Sequence, residues 1–244
     1  MTILFLLFSL CSFAREETPK ADELLKTSDR ARGAAYDLAG ISWIAEIHSV
    51  ENGDATDATY SIKAKNTNTV AEAIAPARQK GEIVLFNDRT LWFYKPGLKK
   101  PVSISPRQKL MGQAANGDIA STQYARDYEA VALNADKVDG QEAWKLTLKA
   151  KAKNVTYDKI NYWIAKKTQT AVKAQFLTLA GEVFKSATFH YGNEINVHGK
   201  AYPFVDEMKI IDTANPENST TLHYRNPKEQ AHPTGIFNVN NLMK

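Results

Sequence analysis

The sequence predicts a mainly β protein: a strongly curved antiparallel sheet, or unclosed β-barrel, of about eleven strands with an N-terminal helix and a helical or loop lid on its concave face. Three observations lead to this prediction. Apolar and polar residues alternate along most of the chain, turn residues separate the alternating segments, and one long central segment has no alternation. A flat open sheet of this size is unusual, so the sheet has to curl to bury one face.

Composition favours a single domain and argues against nucleic acid as a partner. The chain has 244 residues, 43% of them hydrophobic, and no linker or change in composition divides residues 15–244. The net charge of +4 is spread along the chain, without a basic block interleaved with aromatic residues. We therefore expect one domain that does not bind nucleic acid.

The first fourteen residues resemble a secretory signal peptide. Ile3–Leu10 is an uncharged apolar run, and Ser12 and Ala14 are small residues that suit a cleavage site after Ala14. No Lys or Arg precedes the run, which leaves a membrane anchor or a buried first strand as alternatives. The sequence thus predicts a signal peptide at residues 1–14 and a mature protein in the periplasm.

Cysteine usage limits the chemistry of the mature chain. Cys11 is the only cysteine, and it lies within the predicted signal peptide. Lipidation of Cys11 would need a small residue before it, and Leu10 is large. The mature chain therefore has no disulfide, no thiol nucleophile and no Cys-based metal site, and its stability must come from its core.

An amphipathic helix is predicted from Lys20 to Asp37, with Gly33 or Gly40 ending it. Its apolar face would pack against the sheet. The residues that recur at helical spacing along this face are Ala21, Leu24, Leu25, Ser28, Ala31 and Arg32.

Strands follow one another through the rest of the chain. Asn52–Asp54 and Val138–Gln141 are predicted hairpin turns, and Asn193–Gly199 and Asn215–Asn218 are predicted turns as well. Short connections of this kind indicate antiparallel neighbours. The predicted strands are Trp43–Ile47, Tyr60–Ala64, Val70–Ala75, Glu82–Phe86, Leu91–Tyr94, Val102–Ile104, Ala143–Lys149, Lys159–Ala165, Val172–Leu177, Val183–Tyr191, Val205–Ile211 and Thr220–Tyr224.

The central segment Arg107–Arg126, termed the lid segment below, interrupts this pattern. It follows Pro106, is rich in glycine and alanine, and contains few bulky apolar residues. Such a composition predicts a mobile loop with one or two helical turns lying loosely over the sheet, because it buries too little surface to be rigid. The expected lid residues are Leu110, Met111, Asn116, Gly117, Asp118 and Ile119.

The residues around the lid segment carry a family resemblance. Ile83–Pro96, with the sequence IVLFNDRTLWFYKP, resembles the hairpin of the LolA-type outer-membrane lipoprotein-sorting proteins. In that family an Ile/Leu-Val strand, a tight polar turn and a Leu-Trp-x-Tyr-x-Pro strand follow one another. Ile104–Gln108 and Asn116–Ala120 are similar to a less characterised LolA-like branch, and a weaker resemblance extends from Ala21 to the C-terminus. The resemblance implies an unclosed β-barrel with a helical lid over a hydrophobic cavity that accepts acyl chains.

Alternating strand positions predict which residues face the concave side. From the residues alone two interpretations stay open, an ordinary packed core and a lined ligand cavity. The LolA-like resemblance favours the cavity, and in that family an arginine on the sheet hydrogen-bonds to the lid. The corresponding place here is Ala75-Pro76-Ala77-Arg78, which makes Arg78 the expected latch. The expected acyl-binding residues are Trp43, Ile47, Tyr60, Ile62, Phe93, Trp144, Leu146, Leu148, Ile160, Tyr162, Phe176 and Phe189.

The sequence contains no pattern that indicates catalysis. The five histidines show neither H-x-H nor H-x-x-x-H spacing, and there is no nucleophile elbow, P-loop or dinucleotide fingerprint. Asp127 and Glu129 are interpreted as an exposed strand end rather than as an acid–base pair. We therefore expect no enzyme activity, no metal and no cofactor.

Together these features predict a periplasmic carrier, or chaperone, that shields the acyl chains of lipoproteins or free lipids during transfer towards the outer membrane. Its expected partners are the cargo, an inner-membrane exporter and an outer-membrane acceptor, and the carrier itself is expected to be a monomer. One alternative is a non-transporting periplasmic accessory subunit that docks on a lipid exporter or envelope complex. Another is a secreted hydrolase with an unrecognised site.

Overall fold

The computed structural model describes residues 18–87, 89–120 and 123–243, so the predicted signal peptide lies outside the described residues. Three α-helices are present in this part of the chain: α1 (Ala21–Ala31), α2 (Asn116–Ala120) and α3 (Tyr124–Asp127). Its strands are β1 (Ile41–Glu51), β2 (Asp54–Lys65), β3 (Asn68–Ala75), β4 (Ile83–Asn87), β5 (Thr90–Tyr94), β6 (Val102–Ile104), β7 (Lys109–Met111), β8 (Ala114–Ala115), β9 (Tyr128–Val138), β10 (Gln141–Ala150), β11 (Lys159–Ala165), β12 (Ala171–Leu177), β13 (Val183–His190), β14 (Asn193–Val197), β15 (Lys200–Phe204), β16 (Glu207–Asp212) and β17 (Ser219–Glu229). Short 3₁₀ turns lie at Ala77–Gln79, Thr234–Phe237 and Val239–Asn241.

One antiparallel sheet of 13 strands organises the described chain, in the order β6-β5-β4-β3-β2-β1-β17-β16-β13-β12-β11-β10-β9. Strand β17 pairs with β1 on one side and with β16 on the other, so the end of the chain joins its two halves. The sheet is not closed, and the predicted fold class, a mainly β unclosed sheet with an N-terminal helix, is confirmed.

The strand count was underestimated at three places, β9, the β14–β15 hairpin and the β7–β8 pair. Strand β9 escaped prediction because the sequence EAVALNADK within it has little apolar alternation. The predicted turn Asn193–Gly199 is wrong, since its first five residues form β14, which pairs with β15. The real turn is His198-Gly199, where both residues adopt positive φ. Only Ile195 is buried in β14, so the strand lacks the apolar pattern that would reveal it.

Helix α1 is shorter than predicted, because it ends at Ala31 rather than at Asp37. Gly33 adopts a φ of +107°, which L-residues rarely tolerate. A Cβ at this position would also lie 2.8 Å from the Trp43 ring, so only glycine fits the close approach. Leu24 and Leu25 bury the apolar face of α1 against the sheet, as expected from their helical spacing.

The two faces of the sheet are covered by different elements. The concave face, defined here as the face on which α1, α2 and α3 lie, carries the main hydrophobic core. A smaller core on the other face joins Val70 and Leu85 to the C-terminal residues Phe237 and Leu242. The alternation of β5 follows from this arrangement: Leu91 and Phe93 belong to the main core, whereas Trp92 and Tyr94 pack against the C-terminal turns.

The lid segment is folded and packed, so the expectation of a loose loop is wrong for Gln113–Ala120, all of which are buried. It forms the short β7–β8 pair, which was not expected, and then α2 and α3, which agree with the one or two helical turns that were expected. Its small residues permit close packing rather than mobility. A Cβ on Gly117 would lie 1.9 Å from Oγ1 of Thr156, and one on Gly112 would lie 1.6 Å from Oγ of Ser49.

Candidate functional site beneath the lid segment

The twelve predicted acyl-binding residues all contribute to the core of the concave face. Eleven are buried and Phe93 is partly buried. Seven different strands supply them. Period-2 alternation was sufficient to predict that these residues lie on one face of the sheet, because alternate residues of a strand point to the same face. They are Trp43 and Ile47 on β1, Tyr60 and Ile62 on β2, Phe93 on β5, Trp144, Leu146 and Leu148 on β10, Ile160 and Tyr162 on β11, Phe176 on β12 and Phe189 on β13.

Most of the space over these residues is filled by the helices and the lid segment. A cavity of about 290 Å³ remains between the lid segment and the sheet. Such a volume lies at the lower end of the range for small-molecule sites. Its wall includes the buried amide oxygen Oε1 of Gln79, which has no hydrogen-bond partner among the described residues. The lining residues are Tyr60, Gln79, Glu82, Val84, Phe93, Ile104, Gln108, Lys109, Leu110 and Asn116.

Arg78, the expected latch, is exposed in the 3₁₀ turn Ala77–Gln79. Within the described residues it makes no hydrogen bond or ion pair with the lid segment. The structure therefore does not bring Arg78 to the lid. The lid segment is instead fastened by an arginine of its own, Arg107.

Arg107 is the first residue of the lid segment, and it contacts the loop between β10 and β11 (residues 151–158). Its guanidinium donates hydrogen bonds of 2.7 and 2.8 Å to the two carboxylate oxygens of Asp158. Its Nε donates a further bond of 3.0 Å to the carbonyl of Val155. These bonds from Arg107 hold the pKa of Asp158 below its usual value. The pair was not foreseen, since no local sequence signal relates Arg107 to Asp158.

The same loop receives the buried carboxylate of Asp118. Its Oδ2 accepts hydrogen bonds of 2.8 Å from both the Ala115 N–H and the Tyr157 hydroxyl. The Tyr157 ring stacks on Phe176 with a centroid distance of 3.8 Å. Burial raises the pKa of Asp118. The acid of the lid segment is thus anchored to an aromatic pair on the concave face.

The opposite side of the lid segment is attached near the junction of β1 and β17. The Gln113 N–H donates to Oγ1 of Thr220 at 2.7 Å, and Lys185 Nζ donates to the Gln113 carbonyl at 2.6 Å. Lys109 forms an ion pair of 2.5 Å with Glu51. Polar contacts at both margins therefore hold the lid segment closed, whereas its strands β7 and β8 pair only with each other.

Two buried ionisable side chains lie in or next to α1, Asp29 within the helix and Arg32 directly after its last residue. Oδ2 of Asp29 accepts hydrogen bonds from the Ala125 N–H at 2.9 Å and from the Tyr36 hydroxyl at 3.1 Å, which connects α1 to α3. Burial raises the pKa of Asp29 to about 7. The Arg32 side chain points into the aromatic part of the concave face, 4.8 Å from the Tyr124 ring centroid. Its position on the apolar helix face was visible in the sequence, although no role was assigned to it.

A second cavity, of about 330 Å³, lies at the end of α1. Ala31 and Ala34 line it on one side, and Ile195 and Tyr202 of the β14–β15 hairpin line it on the other. It does not contain any of the twelve predicted acyl-binding residues.

The described residues show no cluster of side chains that could hold a metal ion. Among residues 18–87, 89–120 and 123–243, no three His, Cys, Asp or Glu side chains lie close enough together to hold a metal ion. Asp127 is buried and forms a 2.7 Å ion pair with Arg126, which corrects its interpretation as part of an exposed strand end. In the same ranges, none of the helices has the length and apolar character needed to cross a membrane.

Comparison with known proteins identifies the fold. Residues 65–244 match the model of a family described as "Uncharacterized protein". A LolA superfamily protein from Nitrosomonas europaea is 25% identical, with coverage of 90% of this chain and 98% of that chain and a TM-score of 0.78. A proposed outer membrane lipoprotein-sorting protein domain from Vibrio parahaemolyticus is 20% identical, with coverage of 91% and 98% and a TM-score of 0.74.

A DUF1329 family protein from Desulfovibrio piger has the same fold, at 16% identity, coverage of 91% of this chain and 97% of that chain, and a TM-score of 0.75. A search of curated proteins finds no match. The likeness extends over nearly the whole length of these solved chains, so the described part of this protein corresponds to a complete fold of this type.

Proposed function

Because this chain belongs to the family whose model matches residues 65–244 and has a LolA-like fold, we propose that it is a periplasmic carrier that binds acyl chains on its concave face. The cargo would be the acyl chains of a lipoprotein or of a free lipid in transfer towards the outer membrane. One observation carries the proposal: a continuous apolar face is covered by a segment that polar contacts hold at its margins.

Binding would require the lid segment to move, since the cavity beneath it has a volume of only about 290 Å³. An acyl chain would then replace the lid residues as the cover of Tyr60, Phe93 and their neighbours. Each methylene withdrawn from water contributes about 0.8 kcal/mol, so a chain of about ten methylenes would contribute about 8 kcal/mol before the cost of opening is subtracted. Apolar burial alone is therefore sufficient for reversible binding.

The filled concave face favours a second candidate function. A protein that never opens would act as a non-transporting accessory subunit on a lipid exporter or envelope complex. The two candidates differ in one property, because only the carrier has to separate the lid segment from the loop of residues 151–158.

A disulfide across this contact tests the carrier function. A Cβ on Gly117 would lie 3.0 Å from Cβ of Thr156, shorter than the spacing of about 3.5–4.5 Å in disulfides, so the bond forms after a small separation of the lid segment from the loop. The double variant Gly117→Cys, Thr156→Cys would be made in the chain that begins at Arg15, which has no other cysteine. We expect the oxidised form to lose binding of a fluorescent fatty acid and the reduced form to regain it.

The Thr156→Cys variant alone is the matched control, because it cannot form the disulfide and should bind equally in both redox states. Equal binding by the oxidised and reduced double variant would show that the lid segment does not gate the site. Absence of binding in every form, together with no lipid detected by native mass spectrometry of protein from the native host, would favour the accessory subunit.

A further inference from the structure

Arg32 is a buried cation that forms no ion pair with any described residue. Its side chain is 2% exposed on the concave face. Among the described residues, no carboxylate lies within 4.0 Å of its guanidinium. Arg32 has five N–H donors, and one of them bonds to the Tyr162 hydroxyl at 3.2 Å. The others have no acceptor among the described residues, which is an unusual environment for a buried charge.

Aromatic rings provide the rest of its surroundings. The guanidinium lies 4.7 Å from the Phe189 ring centroid, 4.8 Å from that of Tyr124 and 6.0 Å from that of Tyr162. These cation–π contacts compensate part of the desolvation of the charge, but they leave its hydrogen-bonding directions unused. Arg32 therefore has a charge and N–H donors that are only partly compensated, and an anion that accepts these hydrogen bonds would be favoured beside it.

The nearest acids are poor counter-ions. The Arg32 charge acts on Asp29 and on Asp118, but neither is close enough to form an ion pair with it. Burial raises the pKa of both carboxyl groups. Asp118 accepts hydrogen bonds from Tyr157 on both carboxylate oxygens, whereas Asp29 accepts them on Oδ2 and its Oδ1 has no partner among the described residues.

A second unused donor lies in the same region. The Tyr191 hydroxyl is buried and has no hydrogen-bond partner in the described part of the chain. It lies near the backbone of Ala171 but without hydrogen-bond geometry, and the Arg32 charge opposes the rise of its pKa that burial causes. A phenol next to an arginine can donate a hydrogen bond to the same anion that the arginine pairs with.

We propose that Arg32, assisted by the Tyr191 hydroxyl, binds the anionic group of a lipid, a carboxylate or a phosphate, whose acyl chain lies on the concave face. This inference rests on the proposed carrier function and selects its cargo: a lipid with an anionic headgroup rather than an uncharged acylated protein N-terminus. Arginine suits such a role because its planar donors match the oxygens of carboxylates and phosphates.

The test compares lipids that differ only in charge. Delipidated protein would be titrated with dioctanoyl phosphatidic acid, with dioctanoylglycerol and with inorganic phosphate, and affinities measured by calorimetry. We expect the wild-type protein to bind the phosphatidic acid at least about tenfold more tightly than the neutral lipid. Phosphate alone should bind far more weakly than the anionic lipid, because it lacks the chain.

Three variants assign this preference to its residues. Arg32→Met keeps an apolar side chain of similar length and should abolish the discrimination, whereas Arg32→Lys should keep part of it. Tyr191→Phe removes only an unpartnered hydroxyl, so it should fold normally and reduce the discrimination a few fold. Lys26→Met removes an exposed cation from the same helix and should leave the discrimination unchanged.

Two results would overturn the proposal while the carrier function stands. The first is equal affinity of the wild type for the two lipids, and the second is discrimination that persists in both Arg32→Met and Tyr191→Phe. Tight binding of phosphate alone would assign the site to a free anion and would also overturn the lipid assignment. Failure of every ligand to bind would overturn the carrier function and this inference together.

Discussion

Arg107 and Asp158 lie 51 residues apart and form a bidentate ion pair, with N···O distances of 2.7 and 2.8 Å. Arg107 is the first residue of the lid segment, and Asp158 directly precedes β11, one of the strands that supply the concave-face core. Paired hydrogen bonds of this kind fix the relative orientation of two segments as well as their distance. This ion pair therefore fixes the start of the lid segment against the loop of residues 151–158.

Replacing Asp158 with Asn should loosen the lid segment without unfolding the protein. Both side chains of the ion pair are partly exposed, so its loss should cost no more than about 1 kcal/mol and raise local opening roughly two- to fivefold. Hydrogen exchange at residues 109–120 measures this opening. Glu142→Gln breaks the 2.7 Å ion pair with Lys137 on the β9–β10 hairpin and serves as the control. Identical lid exchange in the two variants would contradict a latch role for Arg107.

Gly117→Ala should destabilise the closed lid, because its Cβ would collide with Oγ1 of Thr156 at 1.9 Å. Overpacking of this kind typically costs about 1–3 kcal/mol. Chemical denaturation measures the loss, and adding Thr156→Ala should recover part of it by removing that oxygen. Gly235→Ala is the control, since its Cβ would meet Asn241 at an ordinary 3.5 Å. An equally stable Gly117→Ala would mean that the lid segment is not held this closely.

Asp29 should make the protein less stable as pH rises from about 4 to about 7. Its pKa in the folded protein is about 7, raised by burial from an ordinary value of 3.8. Within this window the folded state retains a proton that the unfolded state has released, so the free energy of unfolding falls with pH and levels off above about 7. Three pKa units correspond to about 4 kcal/mol.

The Asp29→Asn variant should remove this contribution. We expect the variant to equal the wild type near pH 4 and to exceed its stability near pH 8, as measured by urea unfolding across this range. Asp22→Asn, at an exposed position of the same helix, should follow the wild type. Parallel curves for the wild type and Asp29→Asn would show that Asp29 ionises normally in the folded state.

Trp144 and Lys145 are neighbours on β10 that test the face assignment. Trp144 lies in the concave-face core, whereas Lys145 lies on the other face with its Nζ 4.9 Å from the Trp163 ring centroid. Trp144→Ala should weaken binding of a fluorescent fatty acid by about 1–3 kcal/mol, the scale of one lost large apolar contact. Lys145→Ala should have almost no effect. Equal losses at both positions would contradict acyl binding on the concave face.

The predicted export signal calls for a direct measurement at the N-terminus. Ser12 and Ala14 suit a cleavage site, so the mature protein should begin at Arg15 and fractionate with the periplasm. N-terminal sequencing of protein from the native host measures this. Retention of Met1, or acylation of Cys11, would exclude the predicted cleavage.

Local patterns in the sequence were sufficient for much of the architecture. Period-2 alternation placed Trp144, Leu146 and Leu148 together on the concave side, because neighbouring positions in a strand necessarily point to opposite faces. Helical spacing likewise placed Arg32 on the apolar face of α1, although nothing local indicated that it would lack a counter-ion. Period-2 alternation did not reveal β9 and β14, because most of their side chains are exposed or only partly buried.

The state of the lid segment was decided only by the tertiary structure. Glycine at 112 and 117 is compatible both with mobility and with close packing, and the neighbours Ser49 and Thr156, far away in the chain, select close packing. The same holds for Arg107, whose partner Asp158 is brought near by the pairing of β9, β10 and β11. Burial of Arg32 without a paired anion among the described residues is also a property of the assembled core, because α3, β11 and β13 each contribute one of its aromatic neighbours. Period-2 alternation relates adjacent residues and is therefore visible in the sequence. These contacts join residues that are far apart in the chain, so they depend on how the strands are arranged.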